Sequence, residues 1–211
     1  MRALLMLVTL LAAALPCAAE TTGVARPPLP EAVLTGTVAL ETEGERVRIA
    51  LSGAITPAVA AAFIAALDAL PAGRPVRVEL DSPGGYVTAG YAMIDAMLRH
   101  RAAGRAIDTL VRGDARCESM CVGVFMAGAR RGAQPGAWFM VHAPRDDRSG
   151  AMSLRTTREM VARLVSLGTA PGWIRMVGEQ GGFSGRLDYG IRAEALAAAG
   201  ANVVTELAAA P

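Results

Sequence analysis

Strand-like and helix-like segments alternate along this chain with short connections, which confines it to a layered α/β domain with a largely parallel sheet. Residues 46–52 (RVRIALS) alternate charged and apolar side chains with the period of two expected of a half-buried strand. Thr56 before Pro57 is an N-cap followed by proline at the first helical position, and residues 58–70 form the apolar helix it opens. Residues 33–40 read as an earlier strand, 76–80 and 106–111 as buried strands, and 137–141 as a short one. Helices are expected over 87–99, 119–129, 154–167, 172–177 and 193–199, with 202–205 closing the order. There is no internal repeat and no linker, so residues 32–211 read as one domain, a size one hydrophobic core can serve.

Composition narrows the chemistry. With 53% hydrophobic and 19% charged residues the chain is neither disordered nor of low complexity. The formal charge of +2 is too small for a nucleic-acid reader, and no arginine cluster alternates with aromatic residues. All 21 basic residues are arginine. Schiff-base enzymes, Ser-Lys hydrolases and P-loop NTPases each need a lysine amine and are excluded. Nothing points to a metal or an organic cofactor.

Residues 1–19 read as a cleavable secretory leader. Arg2 is followed by an apolar run from Ala3 to Leu15, too short to span a bilayer, and then by Cys17-Ala18-Ala19. Residues 20–31, with Pro27, Pro28 and Pro30, form a tether rather than an element. No later apolar run reaches spanning length, so the mature chain is expected to be periplasmic or secreted, without a membrane span. Cys117 and Cys121 then remain as a pair in an oxidising compartment. Two thiols with no nearby histidine fall short of a zinc site. A disulfide is favoured over two inert core thiols, provided Cys117 lies just outside the helix.

Three elements can carry chemistry. Pro83-Gly84-Gly85 follows a strand directly, where backbone amides without a Cβ in the way can approach a ligand, as a tight turn or as an oxyanion hole. Ser119, inside Cys117-Glu118-Ser119-Met120-Cys121, is placed to cap a helix or to serve as a nucleophile. His100 and His142 are the only two histidines. His100 lies among Arg99, Arg101 and Arg105 at a helix end and reads as a surface residue, whereas His142 ends an apolar strand beside Ala143-Pro144.

In order and spacing, Asp81-Ser82-Pro83-Gly84-Gly85-Tyr86-Val87-Thr88-Ala89-Gly90, Glu118-Ser119-Met120, Met126-Ala127-Gly128-Ala129 and Met140-Val141-His142-Ala143-Pro144 resemble the proteolytic subunit of the Clp protease. That subunit belongs to the Clp peptidase/crotonase superfamily, and the C-x-S-x-C frame is similar to that of its small exported bacterial members. The resemblance implies a spiral of β-β-α units with a mostly parallel sheet flanked by helices. It implies Ser119 as nucleophile and His142 as its base, with Gly84 and Met120 donating to the oxyanion. Pro83 and Gly85 would bind an extended peptide by strand addition. The orienting acid falls on Asp188, one position off the ungapped register, with Glu179 as the fallback.

The expected function is therefore an exported serine peptidase acting on peptides or unfolded chains, without an ATPase partner. The segment that forms the long handle of Clp subunits is short and glycine-punctuated here, which argues against a Clp-like double ring and leaves oligomers built with residues 154–167 as the open option. The alternatives are a non-catalytic peptide- or protein-binding module and an acyl-CoA enzyme of the crotonase kind.

Overall fold

Val47, Ile49 and Leu51 turn inward from strand β2 (Arg46–Gly53) while Arg48 points the other way, and the same alternation recurs in the next two strands. Strand β1 (Gly36–Glu43) precedes β2, and helix α1 (Pro57–Asp68) follows it. Thr56 caps α1, its hydroxyl accepting from the Val59 N–H at 3.2 Å. Strand β3 (Val76–Asp81), helix α2 (Val87–Ala102) and strand β4 (Ile107–Val111) continue the alternation. Then come β5 (Arg116–Glu118), α3 (Met120–Met126), β6 (Arg131–Ala133) and β7 (Trp138–Val141). The chain finishes with α4 (Leu154–Ser166), α5 (Pro171–Glu179), β8 (Tyr189–Arg192), α6 (Ala193–Ala198) and β9 (Glu206–Leu207). This computed structural model describes residues 35–146 and 149–209; the expected leader (1–19) and tether (20–31) lie outside them.

Two sheets result. The larger has the order β1-β2-β3-β4-β6-β9, antiparallel only between β1 and β2. The smaller has the order β5-β7-β8, parallel between β5 and β7 and antiparallel between β7 and β8. They meet where Ser82, at the end of β3, bridges to Cys117 in β5. Helices cover one face of the large sheet and enclose Phe63, Leu67, Met93, Ile94, Met97 and Phe125, all fully buried. Every residue of α3 is buried, as suits a helix apolar all round.

The opposite face of the large sheet is a lattice of charges rather than a second apolar layer. Arg48 reaches Glu41 at 2.5 Å and Glu79 at 3.2 Å, Arg77 reaches Glu43 at 3.6 Å, and Arg112 shares Glu79 at 3.6 Å. The Arg48 guanidinium, by hydrogen bond first and charge second, holds the Glu41 carboxyl below the usual carboxylate range. Parallel strands are ordinarily covered on both faces; here the lattice lets one face meet water.

The expected α/β architecture with a mostly parallel sheet is present. Strands β5, β6 and β8 were not visible in the sequence, because three or four residues are too few to display a period. Asn202 has a positive φ of 53° and turns the chain, so the closing segment 202–205 leads into a last strand at 206–207.

Cys117 and Cys121 are joined by a disulfide with Cα atoms 5.1 Å apart, and both residues are fully buried. Cys117 belongs to β5 and Cys121 to the first turn of α3, so the bond spans the strand-to-helix turn. A ring this short restricts the unfolded chain only modestly. Replacing both cysteines with alanine is expected to lower stability by about 2 kcal/mol in a denaturant titration. Alkylation of the unreduced, denatured protein is expected to leave both positions unmodified, and two alkylated thiols would refute the bond.

Candidate active site

Ser119 links β5 to α3 with φ 54° and ψ −122°, a conformation that non-glycine residues rarely adopt. Its hydroxyl makes no capping bond to α3, so the ordinary reason for a serine at a helix start does not apply. Its backbone is tied instead to the next strand: the Ser119 N–H donates to Met140 O at 2.7 Å, beside the β5–β7 pair Glu118 and Met140. Ser119 is partly exposed while its neighbours Met120 and Cys121 are buried.

The small sheet carries the expected site residues to one end. Ser119 is the residue after β5, His142 the residue after β7, and Asp188 the residue before β8. In the parallel pair β5–β7, extending the Glu118–Met140 register sets Ser119 one step short of His142. In the antiparallel pair β7–β8, Val141 faces Tyr189, so the next step sets His142 opposite Asp188. Neighbouring strands lie about 4.8 Å apart, so three residues from distant parts of the chain form a row in the order serine, histidine, aspartate. All three are partly exposed.

His142 Nδ1 lies 2.7 Å from Ala143 O. A carbonyl only accepts, so Nδ1 carries the hydrogen in this contact and Nε2 is the basic nitrogen of the neutral ring. Asp188 Oδ1 accepts from Arg145 Nη2 at 2.6 Å. Glu179, the fallback acid, sits exposed at the end of α5, outside the row. His100 lies at the far end of α2, where Nε2 is 2.6 Å from Asp68 Oδ1; it ties α2 to the last residue of α1.

The glycine segment closes the other side. A Cβ on Gly84 would lie 2.6 Å from Glu118 O, 2.8 Å from Ser119 Cβ and 2.9 Å from Met120 N, and Gly84 has φ 87°. Only glycine satisfies both demands. The Gly84 N–H donates to the buried Ser82 Oγ at 3.0 Å. Gly84 O accepts from the Ile55 N–H and Ile55 O from the Tyr86 N–H, which directs the N–H of the exposed Gly85 away from Ile55. The Met120 N–H heads α3, where a helix has no partner of its own for its first amides. Pro83 is half-buried ahead of these glycines.

Met120 is held by shape. An added Cβ on Gly90 would come within 2.2 Å of Met120 Cγ, and one on Gly123 within 2.7 Å of Met120 Cε. The small residues of α2 and α3 thus lock the side chain whose backbone amide faces Gly84. Gly90 was part of the sequence motif, but its role becomes visible only when α2 and α3 meet. Among the described residues no group of three or more His, Cys, Asp or Glu side chains is placed to hold a metal, and no helix is long and apolar enough to cross a membrane.

Residues 40–166 match the Clp protease family, a span that includes Ser119 and His142 and stops before Asp188. A mutant of ClpP1 from Listeria monocytogenes has a similar structure, with a TM-score of 0.61 at 15% identity, covering 77% of this chain and 91% of that one. At that identity the likeness is one of fold. The family match takes in more than half of the sequence, and on that ground this chain belongs to the Clp protease family.

Proposed function

We propose that this protein is an exported serine peptidase that cleaves short or unfolded chains without energy input, through Ser119, His142 and Asp188. The observation that carries the reading is the row of these residues along the ends of three adjacent strands, with Ser119 held at positive φ and free of a capping role. Membership of the Clp protease family and the fold support peptide hydrolysis. The buried disulfide is compatible with export.

In this reading His142 Nε2 takes the Ser119 proton as Oγ attacks the peptide carbonyl, and returns it to the leaving amine. Asp188 stabilises the imidazolium formed in between. Water then attacks the acyl-serine with His142 again as base. The oxyanion is received by the Met120 N–H and by a second amide from the glycine segment. The sequence had suggested Gly84, but its N–H is engaged by Ser82 Oγ, so we assign the second donor to Gly85. Pro83 and Gly85 line the strand edge on which an extended substrate would lie.

Labelling with a fluorophosphonate tests the assignment. The processed wild-type protein is expected to be labelled and Ser119→Ala not at all, while both melt at the same temperature. Unchanged labelling of Ser119→Ala would reject the site and favour a binding module. Gly90→Ala is expected to push Met120 out of place and slow labelling by about 100-fold, because a displacement near 1 Å in covalent catalysis costs that much. A folded Gly90→Ala protein labelled at the wild-type rate would remove Met120 from the oxyanion site.

A further inference from the structure

Asp188 is gripped from outside the row. Arg145, three residues past His142, donates from Nη2 to Asp188 Oδ1 at 2.6 Å. The aspartate side chain is 12% exposed and the arginine 26%. Ion pairs between exposed, mobile side chains contribute little, since both partners must be ordered and water screens them. This pair differs because the backbone on each side of it is fixed. Arg145 forms an antiparallel bridge with Met152. The Met152 side chain lies against Gly185, where an added Cβ would be 2.7 Å away. Gly185 precedes Asp188 by three residues, and Tyr189 is paired with Val141. The segment after His142 and the segment before Asp188 therefore meet twice, once through Met152 and once through the ion pair.

We infer that Arg145 is a positioning residue for the peptidase site: it fixes the Asp188 carboxylate so that its negative charge stays directed at the imidazole one strand away. This rests on the reading of Ser119, His142 and Asp188 given above. A carboxylate bonded through one oxygen can no longer turn freely about its terminal bond. Arg145 contacts neither nucleophile nor substrate in this role; it acts only through Asp188. An arginine that merely stapled two loops would affect melting and leave the nucleophile's reactivity alone.

The rate of fluorophosphonate labelling separates these roles without a known substrate. Arg145→Gln, folded at the assay temperature, is expected to label about 10- to 100-fold more slowly than wild type. Arg145→Lys, which keeps the charge, is expected to recover most of that loss. Arg145→Met keeps the aliphatic stem and replaces the glutamine variant should that one fail to fold. Wild-type labelling rates in a folded Gln or Met variant would overturn the inference, as would equal slowing of the Lys and Gln variants. Ser119→Ala, run alongside, identifies the other failure: if it still labels, the reading of the site falls and Arg145 with it. If it is silent while the Arg145 variants label normally, the site stands and only the positioning role is lost.

Discussion

The backbone conformation of Ser119 is the constraint on which the site depends. A non-glycine residue held at φ 54° and ψ −122° costs on the order of 1–3 kcal/mol and persists only where its surroundings over-determine it. Here four ties do so. Ser82 accepts from Glu118 N–H and donates to Arg116 O, which fixes the strand before the turn. Met140 O takes the Ser119 N–H. The disulfide closes the turn from beneath, and Met120 is wedged between Gly90 and Gly123. Each tie comes from a different element, so β3, β7, α2 and α3 must all be in place before residue 119 takes its shape.

The same dependence explains why the helices lie on one side. α1, α2 and α3 bury one face of the large sheet, and α3 is apolar on every side because it lies between that sheet and the small one. The other face is left to Arg48, Glu79 and their partners, whose alternation with Val47, Ile49, Val78 and Leu80 also specifies register. A one-residue slip of β3 on β2 would turn Glu79 into the core and Leu80 out of it. Register in the large sheet fixes where β3 ends, and the end of β3 is where Pro83-Gly84-Gly85 begins.

Much of this was legible in the sequence wherever a local rule applied. Strands with three alternations, the Thr56-Pro57 helix start and the glycines after β3 each carry their own backbone requirement. The family pattern is what singles out Ser119, His142 and Asp188 for the proposed roles of nucleophile, base and acid. What was hidden is non-local. The choice between Gly84 and Gly85 as donor depends on Ser82 Oγ reaching one amide and on Ile55 pairing so that the other points away from it. The doubt over Asp188, one position out of step along the chain, comes from counting residues through loops whose lengths vary. Pairing of β7 with β8 ignores those lengths and sets residue 188 opposite residue 142. Arg145 had no local signal at all, because its partner is 43 positions away.

The two halves of the proposed site are built to different standards, and the proposed chemistry accounts for the difference. The nucleophile's half is fully packed: Cys117, Cys121, Met120 and Gly84 are all buried around a turn tied on every side. The half around Asp188 rests on the four-residue pairing of β7 with β8, one methionine contact and one ion pair. Bond formation at a carbonyl is sensitive to the position of the attacking oxygen, so the turn that carries it must be rigid. A carboxylate acts on the imidazole here through its charge, which tolerates more motion but weakens if the group turns away. A directed ion pair on one oxygen supplies that restraint without a second packed core, which a loop beside a short three-stranded sheet has no room to build.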